Sequence, residues 1–221
     1  MVISLCLLSV LWLVHGYAYL FDNKLWLNGI NPRQLNGLLG IIFTPVLHGS
    51  WSHLAANTAP LVVMVTMIYY GYPKSATKSL MGIWLLSGLL TWLFARDNIH
   101  IGFSGINHGL MFFLFSIGVL RRDHRSIALA MIVFFLYGGM IWSVFPNDPD
   151  ISFELHLFGS ISGVLMAFLF KSSDRKIAVK KYDWEEPNYK EPDGDSIGES
   201  WKIESGDNSI NQQSSNKVEH R

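Results

Sequence analysis

Charge and cysteine are the two things this chain has least of. One cysteine, Cys6, in 221 residues excludes an intrachain disulfide framework, and it reads as a small core filler. Charged residues make up only 15%, with Lys+Arg and Asp+Glu balanced at 17 each, and the zero net charge argues against a nucleic-acid binder. No repeat of solenoid type is visible. No His-Glu-x-x-His helix is present either, which argues against a zinc peptidase although eight histidines are available. What remains is apolar: 50% hydrophobic residues and a mean hydropathy of +0.26, too much for an ordinary soluble domain.

The apolar residues are not spread evenly. Residues 1–170 hold six long runs, approximately 1–21, 51–70, 80–95, 103–120, 127–145 and 151–170. A helical bilayer span needs about 20 residues, which these runs supply or approach. The first run has no basic flank before it and further spans follow, so it reads as a membrane helix rather than a signal peptide. The runs are uninterrupted rather than alternating, which excludes a closed β-barrel. The fold class predicted is therefore an all-α polytopic membrane protein of six helices. Residues 22–50 are too long for a simple connection and are expected to carry structure of their own. Residues 1–171 form the membrane domain, and 172–221 form a polar tail expected to be disordered, because it has too little apolar surface to offset chain entropy.

Lysine and arginine are biased to one side. Lys74, Lys78, Arg121, Arg122, Arg125, Lys171, Arg175, Lys176, Lys180 and Lys181 fall in one set of loops; Lys24, Arg33 and Arg96 fall in the other. The first set is predicted to be cytoplasmic, with both termini inside. Glu154 and Asp148 are then expected to be solvated charges of the outer loops.

Three polar clusters land at one depth on the opposite, outer side. The second run opens with His48-Gly49-Ser50-Trp51-Ser52-His53, and Asn57 follows four residues after His53 on the same helix face. The fourth opens with Gly102-Phe103-Ser104-Gly105, a serine between glycines at a helix start, where unpaired N–H groups suit a developing oxyanion. The sixth carries Glu154 and His156, then the small-residue stripe Gly159, Gly163 and Ala167. If that stripe faces Gly105 and Gly109, Ser104 and His156 come within hydrogen-bond reach, as a nucleophile and its base require. A serine beside glycines would alone read as a packing site, and the histidines alone as a metal cluster or a proton path. A transporter would show repeated or broken helices in both halves, which this chain lacks.

The combination His-Gly-Ser-Trp-x-His-x3-Asn, Gly-x-Ser-Gly and His-x2-Gly-x3-Gly, on the second, fourth and sixth of six spans, resembles the rhomboid intramembrane serine proteases, in particular the bacterial six-span members. The resemblance covers residues 1–170. It implies Ser104 as nucleophile, His156 as general base in a dyad with no acidic third member, and His53 and Asn57 as oxyanion donors beside the Ser104 N–H. It implies His48 as a support of the nearby loop and Gly102 as the turn before the serine. It also implies membrane-protein substrates cut near the outer face of the cell membrane, and no cofactor or metal. An inactive relative that binds transmembrane helices is the alternative it leaves. Two positions depart from the family pattern. His108 stands where an aromatic usually stacks on the base, and is expected to pack on His156. Leu155 stands where a small residue precedes the base, and could displace the last helix.

Overall fold

The computed structural model describes residues 1–146 and 151–176. Asp148 and all of the predicted tail beyond Lys176 lie outside the described residues. The first long helix is α1 (Val2–Leu20). The connection after it contains two 3-10 turns (Leu25–Asn28 and Leu35–Gly37), a short helix α2 (Gly40–Phe43) and a third turn (Thr44–Val46). Then come α3 (Trp51–Gly71), α4 (Ala76–Phe94), α5 (Ser104–Arg121), α6 (His124–Tyr137) and α7 (Phe153–Phe170). Among the described residues there is no strand, only an isolated antiparallel bridge between Ile30 and His100.

Among the described residues, five helices are long and apolar enough to cross a membrane: α1, α3, α4, α7, and α6 together with its extension to Val144. The run predicted at 103–120 corresponds to α5, which stands outside that set because it carries Asn107, His108 and Arg121. Yet α5 is the most enclosed helix, buried along almost its whole length. A helix with neighbours on every side can carry polar groups, because those groups find protein partners there.

Local chemistry sets the helix starts. Ser50, Asp123 and Ser152 cap α3, α6 and α7, accepting from the backbone N–H of His53, Ser126 and Leu155. The run expected at 127–145 is not one α-helix. It changes to 3-10 geometry over Gly138–Val144, where Gly138 and Gly139 lower helix propensity. The third long helix begins at Ala76, four residues before the apolar run, because Asp174 receives the Lys74 and Ser75 N–H groups at its start (2.8 and 3.2 Å).

α5 and α7 form the closest pairing. A β-carbon at Gly159 would overlap the Gly105 carbonyl, and one at Gly163 the Gly109 carbonyl, so only glycine lets these backbones meet. The long connection is pinned to α4 by indole N–H donors, Trp84 to the Ile41 carbonyl and Trp92 to the Gln34 carbonyl, both at 2.9 Å. Arg33 is held by the Ala95 carbonyl (2.6 Å) and by an ion pair with Asp97.

Three residues sit differently from their sequence reading. Cys6 is exposed rather than a core filler, since α1 buries only Ser4, Leu11 and His15. Arg121 is not a loop cation; it is the buried last residue of α5. Glu154 is not a solvated charge; it is buried in the first turn of α7 and paired with Arg96 Nε at 3.2 Å.

Candidate active site

Ser104 is the first residue of α5, and the chain that delivers it is held from below by Thr44. The Thr44 hydroxyl donates to the His100 carbonyl (3.0 Å), and its carbonyl accepts from Gly102 N–H (3.0 Å). Gly102 has φ +111°, a region that strains any residue with a β-carbon. A β-carbon there would also press on the His53 ring, 2.8 Å from its Cε1 and Nε2. The glycine thus provides both the turn and the space for His53. His48 Nε2 lies 3.5 Å from the Phe103 N–H, and its ring meets His53 edge-on at 5.0 Å. Burial holds His48 neutral, its pKa pushed down to about 3, with His53 and His15 adding to the effect.

His156, in the first turn of α7, reaches Ser104 Oγ with Nε2 at 2.9 Å. Its Nδ1 is 3.0 Å from the backbone carbonyl of Ser143. A carbonyl only accepts, so the proton resides on Nδ1 and Nε2 is left as the acceptor facing the serine hydroxyl. That is the tautomer a general base needs. Leu155, the bulky departure, is buried against Gly105, whose missing side chain makes room for it.

His108 stacks on His156 with centroids 4.0 Å apart and planes 10° apart. Its Nδ1 lies 2.7 Å from the Ser104 carbonyl, and its Nε2 lies 2.7 Å from the Ser143 hydroxyl and 3.2 Å from the Met140 carbonyl. Ser104, His156, Ser143 and His108 therefore close a ring of contacts that ties α5, α7 and the 3-10 segment together. Ser143 carries no motif, and nothing in its sequence context signals a role that is carried partly by its backbone.

The start of α7 is secured by a second network. The Ser152 hydroxyl caps the helix and meets His100 Nδ1 at 2.5 Å, while His100 Nε2–H donates to the Arg96 carbonyl (3.1 Å). Burial lowers the His100 pKa, which suits this neutral arrangement. Arg96 also donates to the Ile151 carbonyl (2.8 Å).

His53 and Asn57 share one face of α3, and Asn57 Nδ2 donates to the His53 carbonyl (3.0 Å). Asn57 Oδ1 accepts from Asn107 Nδ2 (3.0 Å), a residue the sequence reading passed over although it lies one turn beyond Ser104. Ser104, His53, Asn57, Asn107, His108 and His156 all line one cavity of about 1010 Å³, which Pro60, Tyr137 and Met140 help to wall. A cavity of that size admits an extended peptide segment and water. Among the described residues, no group of three or more His, Cys, Asp or Glu side chains is placed to hold a metal ion.

Residues 35–173 match the Rhomboid domain family. An uncharacterised protein of Mycobacterium tuberculosis is 34% identical over 186 residues, covering 80% of this chain and 78% of that protein. An uncharacterised protein of Mycobacterium leprae is 34% identical over 197 residues, covering 84% and 78%.

Proposed function

The chain belongs to the rhomboid family, and from that premise we propose that it is an intramembrane serine endopeptidase that cuts membrane proteins in or beside their transmembrane segments. The observation that carries the reading is the Ser104 Oγ to His156 Nε2 bond of 2.9 Å, with His156 oriented by the Ser143 carbonyl. Ser104 attacks the scissile carbonyl as Nε2 takes its proton. The negative charge on the tetrahedral oxygen is met by donors from His53, Asn57 and the Ser104 N–H. The imidazolium then protonates the leaving amine. Water entering the cavity, activated by the same ring nitrogen, hydrolyses the acyl-enzyme and restores the serine. No cofactor takes part in these steps.

The proposed topology is six spans, α5 being the sixth helix beside the five apolar ones, with both termini cytoplasmic. The site then opens near the extracytoplasmic face of the cell membrane. The lysine and arginine bias supports this orientation. Residues 1–171 make the catalytic membrane domain, and the start of the segment expected to be a tail is docked on it, Asp174 receiving the Lys74 and Ser75 N–H groups and Lys176 donating to the Arg121 carbonyl.

The test is cleavage of a single-span reporter by purified protein in liposomes, comparing wild type with Ser104→Ala and His156→Ala. Cleavage by wild type alone supports the dyad. Binding of the reporter without cleavage by any form would instead mark a helix-binding, inactive family member.

A further inference from the structure

Asn107 is buried at 1% exposure in the most enclosed helix, yet only half of its amide is used. Nδ2 donates to Asn57 Oδ1 (3.0 Å) and approaches the Asn57 carbonyl (3.3 Å). Oδ1 is buried with no hydrogen-bond partner among the described residues. An unpaired buried acceptor is unfavourable, and a leucine, branched at the same carbon, would avoid it. The amide is therefore explained by the donor it supplies, not by its own satisfaction.

That donor and the His53 carbonyl together hold Asn57 in one orientation. Backbone carbonyls only accept, so the Asn57 carbonyl assigns Nδ2 of Asn107, and the His53 carbonyl assigns Nδ2 of Asn57. Asn57 Oδ1 is thereby turned to Asn107, and one Nδ2–H of Asn57 remains uncommitted beside the cavity that the residue lines. In the opposite flip, Asn57 Oδ1 would face the His53 carbonyl and could turn a lone pair, not a proton, toward a developing oxyanion.

We propose that Asn107 is a positioning residue, which locks the Asn57 carboxamide in its donating orientation and so pre-organises the oxyanion site for peptide-bond hydrolysis. This rests on the reading of Ser104 as nucleophile and Asn57 as oxyanion donor. Preorganisation matters because a donor that must first rotate gives up part of its transition-state stabilisation.

The experiment is a double-mutant cycle in liposomes using full-length wild type, Asn107→Leu, Asn57→Ala and the double variant. Asn107→Ala serves as a second apolar replacement should the leucine not fit. The readouts are kcat and KM on a single-span reporter, the rate at which a fluorophosphonate labels Ser104, and the thermal unfolding midpoint. Asn107→Leu should lower kcat and the labelling rate together by about tenfold, a fraction of what loss of a whole donor costs. KM should hold, and the unfolding midpoint should not fall. In the Asn57→Ala background the same change should have no further effect. Equal activity of Asn107→Leu and Asn107→Ala with wild type overturns the proposal, as do losses that multiply with Asn57→Ala. If wild type itself neither cuts nor labels while remaining folded, the protease reading fails, and this inference falls with it.

Discussion

The two ends of α5 solve opposite problems. At its first residue, Ser104 faces a cavity through neutral hydrogen bonds, and a buried acceptor, Asn107 Oδ1, is left without a partner among the described residues. At its last residue, Arg121 is closed in. Its Nε donates to Asp123 and Ser126, its Nη1 donates to the carbonyls of Lys171 and Asp174, and its guanidinium lies over the Tyr72 ring. Asp174 in turn receives the N–H groups that open α4 and the Ser75 hydroxyl at 2.5 Å. One end is hollow and adjustable; the other ties α4, α5, α6 and the segment after α7 into one knot. The lesson is a division of labour: stability is concentrated where nothing has to enter, which lets the other end keep empty volume and unpaired groups.

This division can be tested by separating the two properties. Ser104→Ala should abolish cleavage, by at least about 10³-fold, yet leave the unfolding midpoint nearly unchanged, since a single hydrogen bond is lost. Arg121→Met should do the reverse. Removing one member of a buried ionic network costs about 3–5 kcal/mol, so the midpoint should drop steeply while kcat per folded molecule survives. A large loss of kcat in folded Arg121→Met would break the comparison.

Gly163→Ala attacks the seam shared by both ends. The added methyl would overlap the Gly109 carbonyl, so overpacking should cost about 1–3 kcal/mol and shift His156 from Ser104, lowering stability and kcat together. His108→Phe is milder. It keeps an aromatic face against His156 but deletes the contacts to Ser143 and Met140, and should cost about 1 kcal/mol of stability and a few-fold in kcat. If its activity and pH profile match wild type, His108 acts through stacking alone.

The last comparison is the response to acid. His48 is neutral in the fold, with a pKa near 3 against about 6.5 when unfolded. Below pH 6.5 the unfolded chain takes up a proton that the folded chain refuses, so stability falls with pH from 6.5 toward 3, by at most about 1.4 kcal/mol per unit. Above pH 6.5 the term vanishes. Replacing His48 by Gln should lessen the dependence of the unfolding midpoint on pH between 7.5 and 5.5, with buried His100 still contributing in the same direction.

Much of the fold was legible because a bilayer imposes length and apolarity on every spanning helix, and these are properties of consecutive residues. The runs near 51–70, 103–120 and 151–170 correspond to α3, α5 and α7 within a few residues, and the glycine stripes announced that α5 and α7 would meet. The candidate site was legible where it is written in side chains at helical spacing: His53 with Asn57, Gly102 with Ser104, and His156 before Gly159. By itself the sequence determined which residue types stand at the ends of which helices. Tertiary structure alone decided which atoms meet. Ser143 orients His156 through a backbone carbonyl, which every residue has and no motif records. Asn107 turns Asn57 only because α3 and α5 cross there. Cys6, Arg121 and Glu154 took their surroundings from which helix face was covered, a property of packing between distant segments that no local pattern encodes.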